Sequence, residues 1–470
     1  MRHLIGCSAL SCAVSLLGSA GSVRAASRDA TAAEAPAPWR LHEVLGVPWL
    51  RFGLEHRVRA EHLRHDFRSA NAGDATALSF RTLLSAELRF LPFVVGAEAQ
   101  DSRVSASRTT PLNTTLADPL DVLQAWAGLR GSGWLWAGDS LAVTAGRMTL
   151  DLGSRRLVAR NEFRNTISSF TGLDLQWTSS AGDTARAFAV TPVLRLPSEP
   201  DALRRGALER DRENLDALLW AAWVQPRPLP AGVVVEAYVV GLHERDSGRA
   251  PSTDRRLLTP GARVLRAPAT GELDLQVEAM AQLGRSRATS SATDTTDLEH
   301  SAYALDAALG WRFDTIWVPR LALQYDYASG DRSPSDRTNG RFDPLYGARR
   351  FELGPTGLYG AVGRSNLSSP GARLEVQPHR TLDAFAAYRL VWLAAKRDAW
   401  TTAGVRDPSG GSGAYVGQQL ELRVRWHVAP KNLALEVGGA HLVRGEFATD
   451  APGGRTPNAT LGYAQVTGSL

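Results

Sequence analysis

Apolar and polar residues alternate with a period of two along most of this chain, in runs of ten residues or more. From Leu50, one face carries Leu50, Phe52, Leu54, Val58 and Ala60, while Arg51, Glu55, Arg57, Arg59 and Glu61 take the other. From Leu273, the apolar face holds Leu273, Leu275, Val277, Ala279, Ala281 and Leu283, against Glu272, Asp274, Gln276, Glu278 and Gln282. Similar runs begin near Leu78, Tyr303, Leu382 and Val416, the last setting Leu420, Leu422, Val424 and Trp426 against Glu421, Arg423, Arg425 and His427. Successive side chains of an extended strand point to opposite faces, so each run predicts a strand with one apolar and one charged face. The runs are long for a soluble sheet, whose strands average about five or six residues. A tilted crossing of a bilayer takes about 9 to 11.

Between the runs, short Pro-bearing segments alternate with long polar ones. The short set includes 91–93, 226–231, 267–271, 314–319, 377–381 and 428–432. The long set includes 62–77, 105–119, 149–169, 197–213, 245–259, 286–300, 329–369, 395–414 and 445–459. Short periplasmic turns and long extracellular loops are the outer-membrane pattern. Strand starts fall near residues 48, 78, 93, 120, 140, 170, 185, 214, 232, 261, 272, 301, 320, 370, 382, 415, 433 and 460. The fold class predicted is therefore all-β, a transmembrane antiparallel β-barrel of about 18 strands. Sixteen is the alternative, because the starts near 261 and 370 carry the weakest signal. An even count puts both ends of the barrel on the periplasmic side. Closure is required, since a strand edge in hydrocarbon leaves backbone N–H and C=O groups unpaired. Trp49, Trp177, Trp220, Trp311, Trp317, Trp392 and Trp426 are expected in interfacial girdles, with ordinary packing as the alternative. A barrel of this size is wide enough for an aqueous channel, which the charged strand faces would line.

Composition narrows the classes further. Of 470 residues, 44% are hydrophobic and 21% charged, which excludes a disordered chain. Beyond the first 25 residues no run of 18 apolar residues occurs, and the mean hydropathy is −0.18, so a helical membrane protein is excluded as well. Arg2 and His3 precede an apolar stretch from Leu4 to Val23 that ends in Val23-Arg24-Ala25. This reads as a secretory signal peptide, residues 1–25, cleaved near Ala25. A short membrane anchor and a lipoprotein at Cys12 are the alternatives. Residues 26–47, rich in Ala and Pro, form a predicted periplasmic N-terminal segment that is either a plain leader or a contact for a secretion partner. The barrel takes 48–470. The 2 cysteines, Cys7 and Cys12, both lie in the leader, so the mature chain has no thiol for a disulfide, a metal site or a nucleophile.

The net charge is +5 before Arg2 and Arg24 leave with the leader. Lys396 and Lys431 are the only lysines. A GC-rich coding bias explains this as well as function does. The functional reading is that guanidinium groups bind carboxylates bidentately. No basic block resembles a nucleic-acid arm, and export argues against that partner.

Gly146-Arg147-Met148, then Leu152 to Val158, Arg164 and Ser169 to Leu175, form one cluster of motifs. Tyr325 to Asp331 followed by Phe342 to Tyr346 forms another. Together, on this layout from about residue 48 to 470, they resemble the alginate export family of outer-membrane barrels. The resemblance implies an 18-stranded barrel with an electropositive, arginine-rich pore that passes an anionic uronate polysaccharide outward. The ending Thr467-Gly468-Ser469-Leu470 departs from the aromatic end usual in such barrels.

The candidate pore-lining residues are Arg57, Arg59, Arg81, Arg147, Arg156, Asp174, Arg373, Arg389, Arg423 and Arg425. A transport site must bind weakly at several places so that its cargo leaves. The bland alternative pairs these arginines with Glu55, Glu87, Asp174, Glu375 and Glu421 along the wall. Asp331, Asp336 and Asp343 suggest a weak Ca²⁺ loop. They lack EF-hand spacing and are interleaved with Arg332, Arg337 and Arg341, so a solvated extracellular loop is favoured, with an inward-folded gate as the variant. Enzymatic signals are poor, because His42-Glu43 lacks a second His at zincin spacing and no G-x-S-x-G elbow occurs. Three Asn-x-Ser/Thr matches, at Asn113, Asn366 and Asn458, are chance in a bacterial-type barrel.

The expectation is a pore in the outer membrane that exports or passes an anionic polysaccharide, with no covalent chemistry and no cofactor. The barrel is expected to be monomeric. Its partners are outer-membrane lipid, the anionic cargo and a periplasmic secretion component, without nucleic acid. A general channel for small anionic solutes is one alternative, and a barrel whose loops act as a surface enzyme or adhesin is another.

Overall fold

A computed structural model describes Arg40, Glu43 and residues 46–71 and 73–470. The predicted leader and most of segment 26–47 lie outside the described residues. Within them, eighteen long strands follow in chain order. They are β1 Leu50–Arg64, β2 Ala75–Phe90, β3 Phe93–Ala106, β4 Asp118–Ser132, β5 Ser140–Met148, β6 Phe170–Thr178, β7 Thr184–Leu194, β8 Ala217–Gln225 and β9 Val233–Glu244. The second half comprises β10 Arg256–Arg266, β11 Leu273–Ser286, β12 Leu298–Arg312, β13 Arg320–Ala328, β14 Leu367–His379, β15 Leu382–Trp392, β16 Tyr415–Ala429, β17 Leu433–Arg444 and β18 Ala459–Ser469. Each strand pairs antiparallel with the next, and β1 pairs with both β2 and β18, from Glu55 opposite Ser469 to Arg64 opposite Thr460. The sheet is closed. Among the described residues no helix is long and apolar enough to cross a membrane, and the strands do so instead.

The two strands with the weakest sequence signal start earlier than expected, β10 at Arg256 rather than 261 and β14 at Leu367 rather than 370. Each contains a proline, which lacks the N–H a ladder needs and reads as a break. The strands run through it because the ladder skips a step. Pairing of β10 with β11 passes from Leu258–Leu283 to Gly261–Met280, stepping over Pro260. Pairing of β14 with β15 passes from Ser368–Trp392 to Gly371–Arg389, stepping over Pro370. The count of eighteen holds.

The alternation maps onto the two faces. On β16, Leu420, Leu422, Val424 and Trp426 are 42–52% exposed on the outside, while Glu421 is buried inside. Trp49, Trp311, Trp317 and Trp426 are exposed near the short-turn ends. Some charged groups on the inner wall are satisfied across neighbouring strands. Glu236 of β9 stands opposite Arg263 of β10 and pairs with it at 3.1 Å.

The interior departs from the expected open channel, and the segment 329–369 is solvated only around 332–337, its later part following the inward-folded variant. Segments 149–169 and 340–364 turn into the barrel, burying Leu150, Leu152, Leu157 and Val158 from one and Phe342, Leu353, Leu358 and Tyr359 from the other. Their apolar content supplies the reason, since water at the barrel mouth would leave these side chains exposed. Other loops cap the pair. Phe67 stacks on Trp400 at 5.5 Å and meets Tyr359 edge-on at 5.6 Å.

Leu422 sits at the middle of β16 on the outer face. Leu422→Arg is expected to destabilise the barrel by about 2–4 kcal/mol, the midplane cost of a lipid-facing arginine. Urea unfolding in lipid vesicles measures this, and a loss near zero would place Leu422 away from the hydrocarbon.

Candidate functional site

The two inward segments meet and zip together. Tyr346 N–H donates to the Leu157 carbonyl at 2.9 Å, Ala159 N–H to the Tyr346 carbonyl at 3.2 Å, and Ala348 N–H to the Arg155 carbonyl at 2.9 Å. Val158 and Tyr346 form a parallel bridge. Contact is close enough that a Cβ on Gly347 would collide with the Arg156 carbonyl. Glycine is required there for space. Both segments belong to the motifs that carry the family resemblance.

Arg156 tethers this junction to the wall. Its side chain is 1% exposed and pairs with Glu278 of β11, with Asp306 of β12 at 2.6 Å, and with Glu352 of the second inward segment at 2.9 Å. Those acids hold the Arg156 guanidinium above its ordinary pKa against the cost of burial. Arg364 adds a bond to Glu352 at 3.0 Å. Arg389 of β15 holds Asp326 at 3.1 Å and the Glu352 carbonyl at 2.7 Å. Arg156 and Arg389 therefore position the loops and do not line open space.

Three more of the expected residues hold the tip of the first inward segment. Arg57 donates to the carbonyls of Glu162 at 2.8 Å and Arg164 at 2.6 Å. Arg81 reaches the same two carbonyls and pairs with Glu55 at 2.7 Å. Arg59 pairs with Glu61 and lies 4.5 Å over the Phe163 ring. Arg147 is taken up by Asp121 and Glu213, and Asp174 by Arg186, both away from the space below.

Beneath the joined segments, toward the short-turn end, lies a cavity of about 310 Å³. Its lining brings together Arg57, Arg81, Arg373, Arg423 and Arg425 of the expected set and leaves out Arg59, Arg147, Arg156, Asp174 and Arg389. It adds Arg155, Arg160 and Arg350, which sequence reasoning passed over although Arg155 stands inside a quoted motif. The carboxylates in the lining are Glu55, Asp151, Glu162 and Glu436. Arg423 and Arg425 share one acid, Asp383, at 2.5 and 3.1 Å. Arg373 pairs with Glu375 at 2.8 Å and stacks on Phe385 at 3.7 Å. Arg350 pairs with Glu421 at 2.6 Å, and Arg160 with Glu98 at 2.9 Å. Among the described residues neither Arg57 nor Arg155 has an acid partner. Arg155 lies 3.7 Å over the Phe351 ring.

On the long-loop side, Arg164 and Arg349 also lack acid partners among the described residues. Burial, then Arg349 and Arg195, push Arg164 down to about 9, and burial with Arg68 and Arg364 pushes Arg349 down to about 10. The space on both sides of the junction is thus short of negative charge. Of the expected pairings, Glu55 and Glu375 take Arg81 and Arg373, but Glu87, Asp174 and Glu421 take Arg89, Arg186 and Arg350. The three aspartates of the Ca²⁺ reading are each engaged by other groups. Asp343 pairs with Arg255 at 2.8 Å, Asp331 N–H donates to Asp398, and Asp336 caps Thr338. The described residues contain no cluster of three or more acids, histidines or cysteines arranged for a metal.

Removing Arg156 leaves two buried carboxylates, Glu278 and Asp306, and the half-buried Glu352 around its place. Arg156→Ala is expected to destabilise the fold by about 3–5 kcal/mol and to give larger, noisier single-channel currents as the inward segments loosen. Unchanged currents from a folded variant would reject the tether. A second expectation concerns the strap 195–213, where Asp211 accepts the Leu196 N–H at 2.8 Å. Burial, then the Asp118 carboxylate, push Asp211 up to about 8. The folded chain holds this proton where the unfolded chain has lost it, so stability falls as pH rises from the ordinary carboxylate range through about 8. Hydrogen exchange across 195–213, corrected for intrinsic rate, should speed up over that window, and Asp211→Asn should flatten the dependence.

Three solved structures from Pseudomonas aeruginosa share the architecture. OpdK, determined with vanillate, matches at 13% identity and a TM-score of 0.56 over 89% of this chain and 98% of its own. OccK5 (OpdH) matches at 12% identity and 0.57 over 89% and 98%. OpdQ matches at 14% identity and 0.56 over 90% and 97%. At these identities the likeness is one of fold. No curated protein matches the chain. The alginate export family model matches residues 48–461, which include seventeen of the barrel strands, the first three residues of β18, both inward segments and the arginines that line the cavity, and the chain belongs to the alginate export family of outer-membrane pores.

Proposed function

We propose that this pore passes an anionic, uronate-type polysaccharide outward, with the arginines of the lumen as transient partners for its carboxylates. The observation that carries the reading is the excess of guanidinium groups around the cavity below the joined segments. Among the described residues Arg57 and Arg155 have no acid partner, and Arg423 and Arg425 share Asp383. A carboxylate entering this space meets rigid forks of donors at several points. Each is also tied to a carbonyl, an acid or a ring, which weakens its hold on the cargo. Weak binding at successive points is what passage requires. Arg164 and Arg349 continue the cationic path on the far side of the junction. The zipped segments 149–169 and 340–364 are the element that would have to part.

A second reading, a channel for small anionic solutes, draws on the modest cavity of about 310 Å³ and on OpdK, whose structure was determined with vanillate. Polymer dependence separates the two.

Planar-bilayer recording of the refolded mature protein tests both. Anion-selective current blocked by oligouronate, and more strongly as the oligomer lengthens, is the expected result. Block by small carboxylates alone would favour the second reading, and a silent folded barrel would reject both. Arg423→Glu with Arg425→Glu should lower the anion preference, because the shared Asp383 then stands beside two further acids. Unchanged selectivity would remove both residues from the ion path.

A further inference from the structure

We propose that the outer wall across β9 to β13 carries a site for a phosphorylated glycolipid of the outer leaflet, of the lipid A type. The inference stands apart from the pore reading, because every residue it uses faces away from the lumen.

At the long-loop ends of three consecutive strands, His243, Arg256 and Arg285 stand side by side on the outside. His243 of β9 is opposite Arg256 of β10, and Arg256 is opposite Arg285 of β11. All three are exposed. Like charges directly opposite each other across a strand pair are destabilising unless something neutral or negative lies between them. The acids nearby do not fully supply this. Asp254 pairs with Arg256 at 3.1 Å but is shared with Arg287 at 3.2 Å. Glu299 stands opposite Arg285 on the other side, yet Arg285 makes no ion pair or side-chain hydrogen bond among the described residues. The height of this row matters too, because the long-loop end of an outer-membrane barrel meets the outer leaflet. A phosphate there meets two guanidinium groups placed for charge-assisted hydrogen bonds.

Directly below, the same strands form a groove of about 880 Å³ on the lipid-facing wall. Its floor is made of small residues, Pro260 and Ala262 on β10 and Ala279 and Ala281 on β11. Tyr303 and Tyr327 make one side, their rings stacked at 5.3 Å and their hydroxyls 3.2 Å apart. Ala281 is four residues along β11 from Arg285, about 13 Å at the usual rise of a strand. Leu258 and Leu283, 42% and 51% exposed, line the way between. A headgroup phosphate at the arginines therefore places an acyl chain in the groove. A second copy of this chain is a poorer occupant, since a two-fold contact through this patch sets arginine rows against each other.

The test uses the full mature chain, refolded in detergent and incubated with bis-phosphorylated lipid A, with bound lipid counted by native mass spectrometry. The expected result is retention of lipid A by the wild type. Retention should fall about tenfold or more in Arg256→Ser with Arg285→Ser, the scale of losing charged hydrogen bonds. Ala281→Trp, which fills the groove without touching charge, should lower it as well. Dephosphorylated lipid A should bind the wild type as weakly as phosphorylated lipid A binds the double variant. Arg205→Ser, on the strap 195–213, is the control. Heat-modifiable gel mobility reports folding, and bilayer conductance should be unchanged in all variants, so this proposal and the pore reading fail separately. Equal retention by wild type and double variant, or displacement by phosphatidylglycerol as effective as by lipid A, would overturn the site.

Discussion

The closure of the backbone hydrogen-bond ladder between β1 and β18 is the constraint on which the rest of the molecule depends. A bilayer offers no water to unpaired N–H and C=O groups, so a wall of this length is stable only when it has no edge. Closure then divides every strand into a lipid face and a lumen face, and the period-two pattern follows from it. It also accounts for Pro260 and Pro370 within strands. Each removes a donor, and the ladder steps over it while the neighbouring pairs keep the register.

Once the wall is closed, charged side chains are enclosed in a confined interior, and their pairing organises the inward segments. Arg156 joins acids from two wall strands and from one inward segment. Arg57, Arg59 and Arg81 spend donors on backbone carbonyls of the other segment's tip. The same residue type thus serves two purposes. Where an arginine has several acids or carbonyls around it, it fixes structure. Where acids run short, as around Arg155 or at the Arg423–Arg425 pair, it leaves a positive potential in the lumen. Guanidinium suits both because its fork of donors satisfies several acceptors at once and stacks on rings such as Phe351 and Phe385.

The outer surface obeys the same rule in a different solvent. Apolar side chains cover the wall, and charges appear on it only near the strand ends, as at Arg256 and Arg285. Inside, neutralisation comes from neighbouring strands and loops. Outside, at the long-loop rim, it has to come partly from the surrounding medium.

Strand number, face assignment and the division into turns and loops were legible in the sequence, because a two-residue period is local and survives without knowledge of neighbours. Leu420, Leu422, Val424 and Trp426 announced a lipid face, and Arg423 and Arg425 a lumen face, before any partner was known. The two Pro-containing strands were legible only in outline, since whether a ladder tolerates a missing donor depends on the adjoining strand. Which arginines face open space was decided by tertiary structure alone. Arg156 and Arg389 look like pore residues in sequence, yet the acids that capture them, Glu278, Asp306, Glu352 and Asp326, come from distant strands and an inward loop. The course of segment 340–364 was open in the sequence, where an inward fold was only the variant, because the polar stretch before it, around Asp331 and Asp336, reads as solvated. Its burial rests on apolar partners such as Leu157 and Val158, which lie far away along the chain. Alternation is a property of neighbours in sequence, whereas pairing of charges and filling of a lumen are properties of neighbours in space.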